Sequence, residues 1–110
     1  MKTFIEHPIF TKQIETLLTA DEYRRLQMYL AEHPSAGDVI PGLSGLRKVR
    51  WAVPGRGKRG GLRVIYLLLL ASDIICLFYA YTKGKMTDLT PEQHRRLKDA
   101  VTRIKKEYRV

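Results

Sequence analysis

The longest apolar stretch in the sequence, Val64 to Tyr81, constrains the fold more than any other feature. It approaches the length of a membrane-spanning helix. However, Ser72 and Asp73 interrupt its middle, and β-branched and aromatic residues are frequent along it, as is typical of strands. The stretch therefore predicts two buried strands joined by a turn, from Arg63 to Leu70 and from Ile74 to Tyr81, and no membrane helix.

Shorter patterns predict the elements of the N-terminal half. Loose alternation at 2–7 predicts a short first strand, and apolar residues at helical spacing from Phe10 to Leu18 predict a first helix. Thr19 and Glu22 have the spacing of a capping box, which starts a second helix. Pro34 ends that helix, because proline has no amide hydrogen to donate.

The second half continues with a Gly-, Pro- and Ser-rich loop at 36–45, a strand at 46–52 and a glycine-rich basic loop at 54–61. The last helix starts at Thr90, which forms a second capping box with Gln93. The predicted order is β-α-α-β-β-β-α. It indicates one α+β domain spanning residues 1–110, with a largely antiparallel four-stranded sheet packed by an N-terminal helical hairpin and a C-terminal helix.

Charge is concentrated in one part of the chain. The 20 Lys and Arg residues outnumber the 11 Asp and Glu residues, giving a formal net charge of +9. Residues 47–63 contain seven basic and no acidic side chains, whereas residues 1–46 carry more acidic than basic ones. A positive field concentrated in this way favours a polyanionic partner, nucleic acid first.

Few other chemistries are supported by the composition. The single Cys76 permits no intrachain disulfide and no cysteine metal cluster, and residues 1–7 lack the apolar core of a secretory signal, so a reducing cytoplasm fits best. His7, His33 and His94 have no metal-ligand spacing, so we expect neither a metal site nor a two-histidine ribonuclease mechanism.

Alternation along the strand at 46–52 places Lys48 and Arg50 on one face, and Arg47 with Val49 on the other. Arg63 heads an apolar strand and is expected to face the same surface as Lys48 and Arg50. The remaining candidates are cations of the glycine-rich loop and of the turn after the last strand: Arg56, Lys58, Arg59, Lys83 and Lys85. Together these residues suit a phosphodiester backbone, and a solvated charged face is the alternative interpretation.

Four segments carry a resemblance to a known family. They are GDVIPG at 37–42, GLRKVRW at 45–51, GRGKRGGLRVIY at 55–66 and KMTDL at 85–89. The sequence resembles the HigB-type toxins of the RelE/ParE superfamily along most of its length. This resemblance implies a RelE-like fold and a type II toxin that enters the ribosomal A site and cleaves the translated mRNA without a metal or cofactor. It also implies neutralisation by a cognate antitoxin, commonly a helix-turn-helix protein of the HigA kind.

The resemblance also implies roles for individual residues. Lys48 and Arg50 match the basic pair on the family's second strand, and Arg63 matches the arginine before the Val-Ile-Tyr-like strand. Lys83 or Lys85 corresponds to the family's later basic residue. Attack by the RNA 2′-OH needs a base, cations that stabilise the phosphorane, and an acid for the leaving 5′ oxygen.

We expect Lys48 or Lys58 to act as the base, because a lysine among cations can have its pKa lowered toward neutrality. Arg50 and Arg63 would hold the phosphate. The sequence departs from the RelE pattern in having no tyrosine soon after Lys83, which leaves the general acid unassigned; Tyr79 and Tyr81 precede it on the strand.

Two alternatives come from different functional classes. The first is a ParE-like inhibitor of DNA gyrase, since one fold can host either activity. The second is a non-catalytic nucleic-acid-binding module, which is weakened by the scarcity of aromatic residues among the cations, Trp51 alone.

Overall fold

The computed structural model of the chain describes residues 2–53, 61–69, 73–82 and 89–108. Within these ranges the chain forms five strands and three helices. In chain order they are β1 (Thr3–Glu6), α1 (Pro8–Leu17), α2 (Ala20–Glu32), β2 (Asp38–Val39), β3 (Arg47–Trp51), β4 (Leu62–Leu69), β5 (Ile74–Thr82) and α3 (Pro91–Glu107). None of these helices is long and apolar enough to cross a membrane.

The strands form one sheet in the order β1-β5-β4-β3-β2. The β4–β5 hairpin at its centre confirms the two buried strands predicted from the apolar stretch. The prediction of four strands was wrong for the described chain, because Asp38–Val39 adds a strand paired with Arg47 and Lys48. Two residues inside a loop-like composition are too few to produce a detectable alternation. The sheet is also mixed, since β1 runs parallel to β5.

Both predicted capping boxes are formed. The Thr19 hydroxyl oxygen accepts from the Glu22 amide at 3.2 Å, and the Glu22 carboxylate accepts from the Thr19 amide at 2.8 Å. Thr90 and Gln93 repeat this exchange at 3.1 and 2.8 Å. These bonds satisfy amides that a helix start leaves without intrahelical partners, so the signal is local and readable from the sequence.

Hydrophobic side chains cover both faces of the sheet. On one face, Phe10 and Leu26 of the helical hairpin pack with Val49 and Val64. On the other face, the α3 residues Leu97 and Val101 pack in a second cluster, whose sheet members include Ile65, Leu67, Cys76 and Phe78. The alternation of β3 predicted one cationic and one mainly apolar face of that strand. Elsewhere in the sheet both faces carry hydrophobic clusters, and α3 packs on the face that carries Lys48 and Arg50.

An irregularity between β4 and β5 changes which side chains face α3. Ile65 pairs with Tyr79 while Tyr66 pairs with Leu77, so Phe78 is an extra residue in β5. Phe78 and Tyr79 consequently both point into the α3-side cluster. A bulge of this kind shifts the alternation of the strand that carries it, and it brings Tyr81 to the same face as Arg63.

The 34–37 segment is held against β3 and β4 by buried polar contacts. The Tyr66 hydroxyl donates to the Pro34 carbonyl at 2.7 Å and accepts from the Gly37 amide at 3.0 Å. The Arg47 guanidinium donates to the Gly37 carbonyl at 2.7 Å. As predicted, Arg47 points away from Lys48 and Arg50. It helps to secure the segment that leads into β2.

We expect Tyr66→Phe to lower the free energy of unfolding by about 1–3 kcal/mol, because it leaves a buried Gly37 amide without its partner. Urea denaturation would measure the loss. Tyr29→Phe is the matched control, since the Tyr29 hydroxyl makes no hydrogen bond within the described ranges. Equal stability of the Tyr66→Phe variant and the wild type would contradict this account of the segment.

Candidate functional site

Three side chains form a row across the three inner strands of the sheet, near one end of those strands. Arg50 on β3 lies directly opposite Arg63 on β4, and Arg63 lies opposite Tyr81 on β5. Side chains of directly paired residues lie on the same face of a sheet. Lys48, two residues before Arg50, shares that face and pairs with Ile65. The predicted grouping of Lys48, Arg50 and Arg63 on one surface is therefore confirmed.

The two arginines of this row form an unfavourable pair. Like charges directly opposite each other on adjacent strands are destabilising, and β4 is the central strand of the sheet rather than an edge. Within the described ranges, Lys48, Arg50 and Arg63 make no ion pair with a carboxylate. The fold thus keeps three cations together on a face where the described carboxylate opposite Lys48, that of Asp38, forms no ion pair with them. A bound phosphate would offset their mutual repulsion.

A histidine from α3 joins this surface. His94 and Lys48 line a cavity of about 330 Å³ together with Tyr81, Ile40 and Leu89. They also line an adjoining groove of about 700 Å³ that Arg50 borders. These two depressions lead from the edge at β2 to the row on the sheet.

The local structure around Thr90 explains how His94 is held there. The Thr90 capping box fixes the first turn of α3, and the His94 amide donates to the Thr90 carbonyl at 2.9 Å. One turn later, Leu97 is buried against the sheet. The imidazole is therefore carried by a helix anchored on both sides of it, which favours a defined position over a loop.

The two tyrosines of β5 have different surroundings. Tyr81 is 6% exposed and borders the cavity with Lys48 and His94. Tyr79 lines a different cavity with His7 and Arg96. Burial raises the pKa of the Tyr79 phenol, and Tyr79 lines neither of the two depressions beside Lys48. Tyr81 is the tyrosine that the structure brings to the candidate site.

The groove wall opposite α3 depends on a close backbone approach. A Cβ atom on Gly37 would lie 2.9 Å from the carbonyl carbon and oxygen of Lys48. Glycine lets the chain pass directly over the Lys48 peptide before entering β2. The segment that follows borders the groove through Asp38, Val39, Ile40 and Pro41. The β2 pairing thus fixes the wall beside Lys48.

Several predicted site residues lie outside the described residues. They are Arg56, Lys58 and Arg59 of the glycine-rich loop, together with Lys83 and Lys85. The last described row of the three inner strands contains the end of β3, the start of β4 and the end of β5. In this row Trp51 pairs with Leu62, and Leu62 pairs with Thr82. This row is adjacent to the one that holds Arg50 and Arg63.

Sequence reasoning did not place Tyr81 or His94 in the site. Simple alternation from Ile74 would put Tyr81 on the face of the helical hairpin, and the extra residue Phe78 reverses this. The sequence did place His94 at the start of a helix, through the capping box at Thr90. No local signal indicates that this turn lines a cavity with Lys48, because the two residues lie far apart in the chain.

The arrangement supplies the groups that phosphodiester cleavage needs. Arginine side chains present a planar fork of donors that matches phosphate oxygens. A lysine, a histidine and a tyrosine nearby are all side chains that can transfer protons. The geometry is therefore suited to binding a phosphate and moving protons to or from the oxygens on either side of it.

Comparison with known proteins relates this fold to two solved structures. No model of a protein family matches the sequence. The structure of the E. coli toxin RelE in the free state, a doubly substituted mutant, aligns with a TM-score of 0.55 and 13% identity, covering 78% of this chain and 87% of that one. The intact E. coli RelBE toxin–antitoxin complex contains a chain that aligns with a TM-score of 0.53 and 13% identity, covering 73% of this chain and 94% of that one. The protein therefore has the RelE-like α+β fold.

Proposed function

We propose that this protein is the toxin of a type II toxin–antitoxin system, an endoribonuclease that cleaves mRNA on the translating ribosome. The observation that carries the proposal is the face on which Lys48, Arg50 and Arg63 lie together, without an ion pair among the described residues, next to Tyr81 and His94. The likeness in fold to a toxin and to a toxin–antitoxin complex supports it. The HigB-like segments of the sequence point to the HigB type.

The proposed reaction is attack by the RNA 2′-OH on the adjacent phosphate, without a metal. Arg50 and Arg63 bind the phosphate oxygens and stabilise the charge that develops in the transition state. Lys48 or Lys58 removes the 2′ proton. This leaves the protonation of the departing 5′ oxygen to a group on the opposite side of the phosphate.

We assign the protonation step to His94. It shares the cavity with Lys48 but comes from α3 rather than from the sheet, so the two groups approach a bound phosphodiester from different elements. Histidine is also the side chain most often used for proton transfer in enzymes. Tyr81 borders the same cavity, and its place beside Arg63 suits it to orienting the phosphate.

The proposed partners are the ribosome, its mRNA and a cognate antitoxin. The likeness to a chain of the RelBE complex supports an antitoxin. The HigB-like segments favour a helix-turn-helix protein of the HigA kind. An antitoxin that covers the cationic face would prevent phosphate binding by occupying it.

Mapping mRNA 5′ ends after induction tests the proposal. We expect new 5′ ends inside coding regions in a translating extract, and none on the same RNA when ribosomes are omitted. Arrest of DNA replication with unchanged mRNA ends would instead identify a gyrase inhibitor. Tight RNA binding without new ends would identify a non-catalytic module.

A further inference from the structure

Helix α3 carries its charges in two separate flanks. At 3.6 residues per turn, Arg95, Lys98, Lys105 and Lys106 fall within an arc of roughly 100°. The acidic residues of the helix lie outside this arc: Glu92, Asp99 and Glu107. The cationic flank is therefore a positive stripe interrupted only by Thr102, and the other flank is mixed.

The contacts of α3 show which way each flank faces. Arg96, Asp99 and Arg103 line a cavity with His7 and Ile9, on the side of β1. On the opposite side, Lys105 Nζ donates to the Ser44 carbonyl at 2.8 Å. The stripe thus lies on the side of the loop at 40–46. On this same side, His94 lines a cavity with Lys48.

The cationic flank has no ion pair among the described residues, whereas the mixed flank has one, beside an Arg103 that has none. Arg96 on the mixed flank is bound to Glu92 at 2.8 Å. Arg95, Lys98 and Lys106 are exposed and have no ion-pair partner in the ranges that the structure describes. These cations continue the cationic surface of the candidate site along the helix. An extended row of unpaired cations is better suited to a polyanion than to a single acidic side chain.

We infer that the Arg95–Lys98–Lys106 stripe of α3 binds the phosphodiester backbone of RNA and extends the candidate site beyond the cleaved phosphate. This inference rests on the proposed function for the identity of the polyanion. From Arg95 to Lys106 the helix rises roughly 16 Å, long enough to run past several consecutive phosphates of a nucleic-acid strand. The stripe reads no bases, because contacts to phosphates position a nucleic acid without specifying its sequence.

A pair of double variants on the same helix tests the inference. Arg95→Gln/Lys98→Gln neutralises the stripe, and Arg96→Gln/Arg103→Gln removes the same charge from the mixed flank. Binding of the full chain is measured against salt concentration, with a labelled single-stranded RNA oligonucleotide in one arm and purified ribosomes in the other. The two arms distinguish an mRNA strand from ribosomal RNA as the source of the phosphates.

For the oligonucleotide, the stripe variant is expected to reduce the slope of log K against log salt by about 1.4, since each lost contact to a single strand removes about 0.7. The control variant should keep the wild-type slope. A reduced slope with ribosomes alone would identify ribosomal RNA as the ligand. Equal slopes for both variants in both arms would overturn the inference, even if the wild-type protein cleaves mRNA. A reduced slope in a protein that cleaves nothing would retain the stripe and reject the proposed reaction.

Discussion

Arg63→Ala is expected to lower mRNA cleavage by about 100- to 1000-fold and to abolish growth arrest. Arg63 lies between Arg50 and Tyr81 in the row across β3, β4 and β5, so its guanidinium is central to the surface that would hold the phosphate. Loss of a fixed donor that stabilises transition-state charge typically has an effect of this size. Quantifying 5′ ends in a translating extract would measure it.

Stability distinguishes this effect from unfolding. Removing Arg63 also removes a like-charge pair across two strands, so the variant should unfold at a urea concentration equal to or above that of the wild type. Arg24→Ala is the matched control, because Arg24 is an exposed cation on α2 that pairs only with Asp21 within the described chain. A folded Arg63→Ala protein that cleaves at the wild-type rate would show that the phosphate binds elsewhere.

His94→Gln is expected to lower cleavage by about 100- to 10,000-fold, the usual contribution of a positioned acid or base. Glutamine keeps a polar side chain at the cavity but cannot transfer a proton. Single-turnover cleavage on programmed ribosomes would separate the chemical step from binding, which should change little. His33→Gln is the control, since His33 is exposed at the end of α2 and its ring lies at a tilted angle against that of Tyr29.

Chemical rescue makes this test specific for proton transfer. Added imidazole should restore part of the rate to a His94→Ala variant and none to Arg63→Ala, because only the first lacks a proton-transfer group. Tyr81→Phe removes the neighbouring phenol without changing the ring. Full activity in His94→Gln together with a severe loss in Tyr81→Phe would reassign the acid to Tyr81.

The parts of the fold that the sequence predicted correctly are those with local signals. The helix starts at Thr19 and Thr90 rest on residues three positions apart, and the shared face of Lys48 and Arg50 follows from the alternation of a strand. Arg63 was predicted to face the same surface as these two residues, because a cation in a core strand must reach a polar surface. These inferences need no knowledge of which strands are neighbours.

The parts that were missed depend on pairing between distant segments. The β2 strand exists only because residues 38–39 lie beside Arg47 and Lys48. Tyr81 reaches the site through an extra residue in β5 that is opposed by two consecutive residues of β4. His94 lines the same cavity as Lys48 because the first turn of α3 lies beside β3. An alternation pattern carries no information about any of these three contacts.

The parallel pairing of β1 with β5 has a consequence for how the protein is made. Thr3 pairs with Ile74, and Glu6 pairs with Leu77, so the first strand cannot pair with β5 until residues 74–77 have been synthesised. The α1–α2 hairpin follows β1 directly and packs on the same late-formed strands. Contacts this distant in sequence close large loops and form slowly. The first strand and the helical hairpin of a nascent chain therefore reach their places on the sheet only after β4 and β5 have been synthesised.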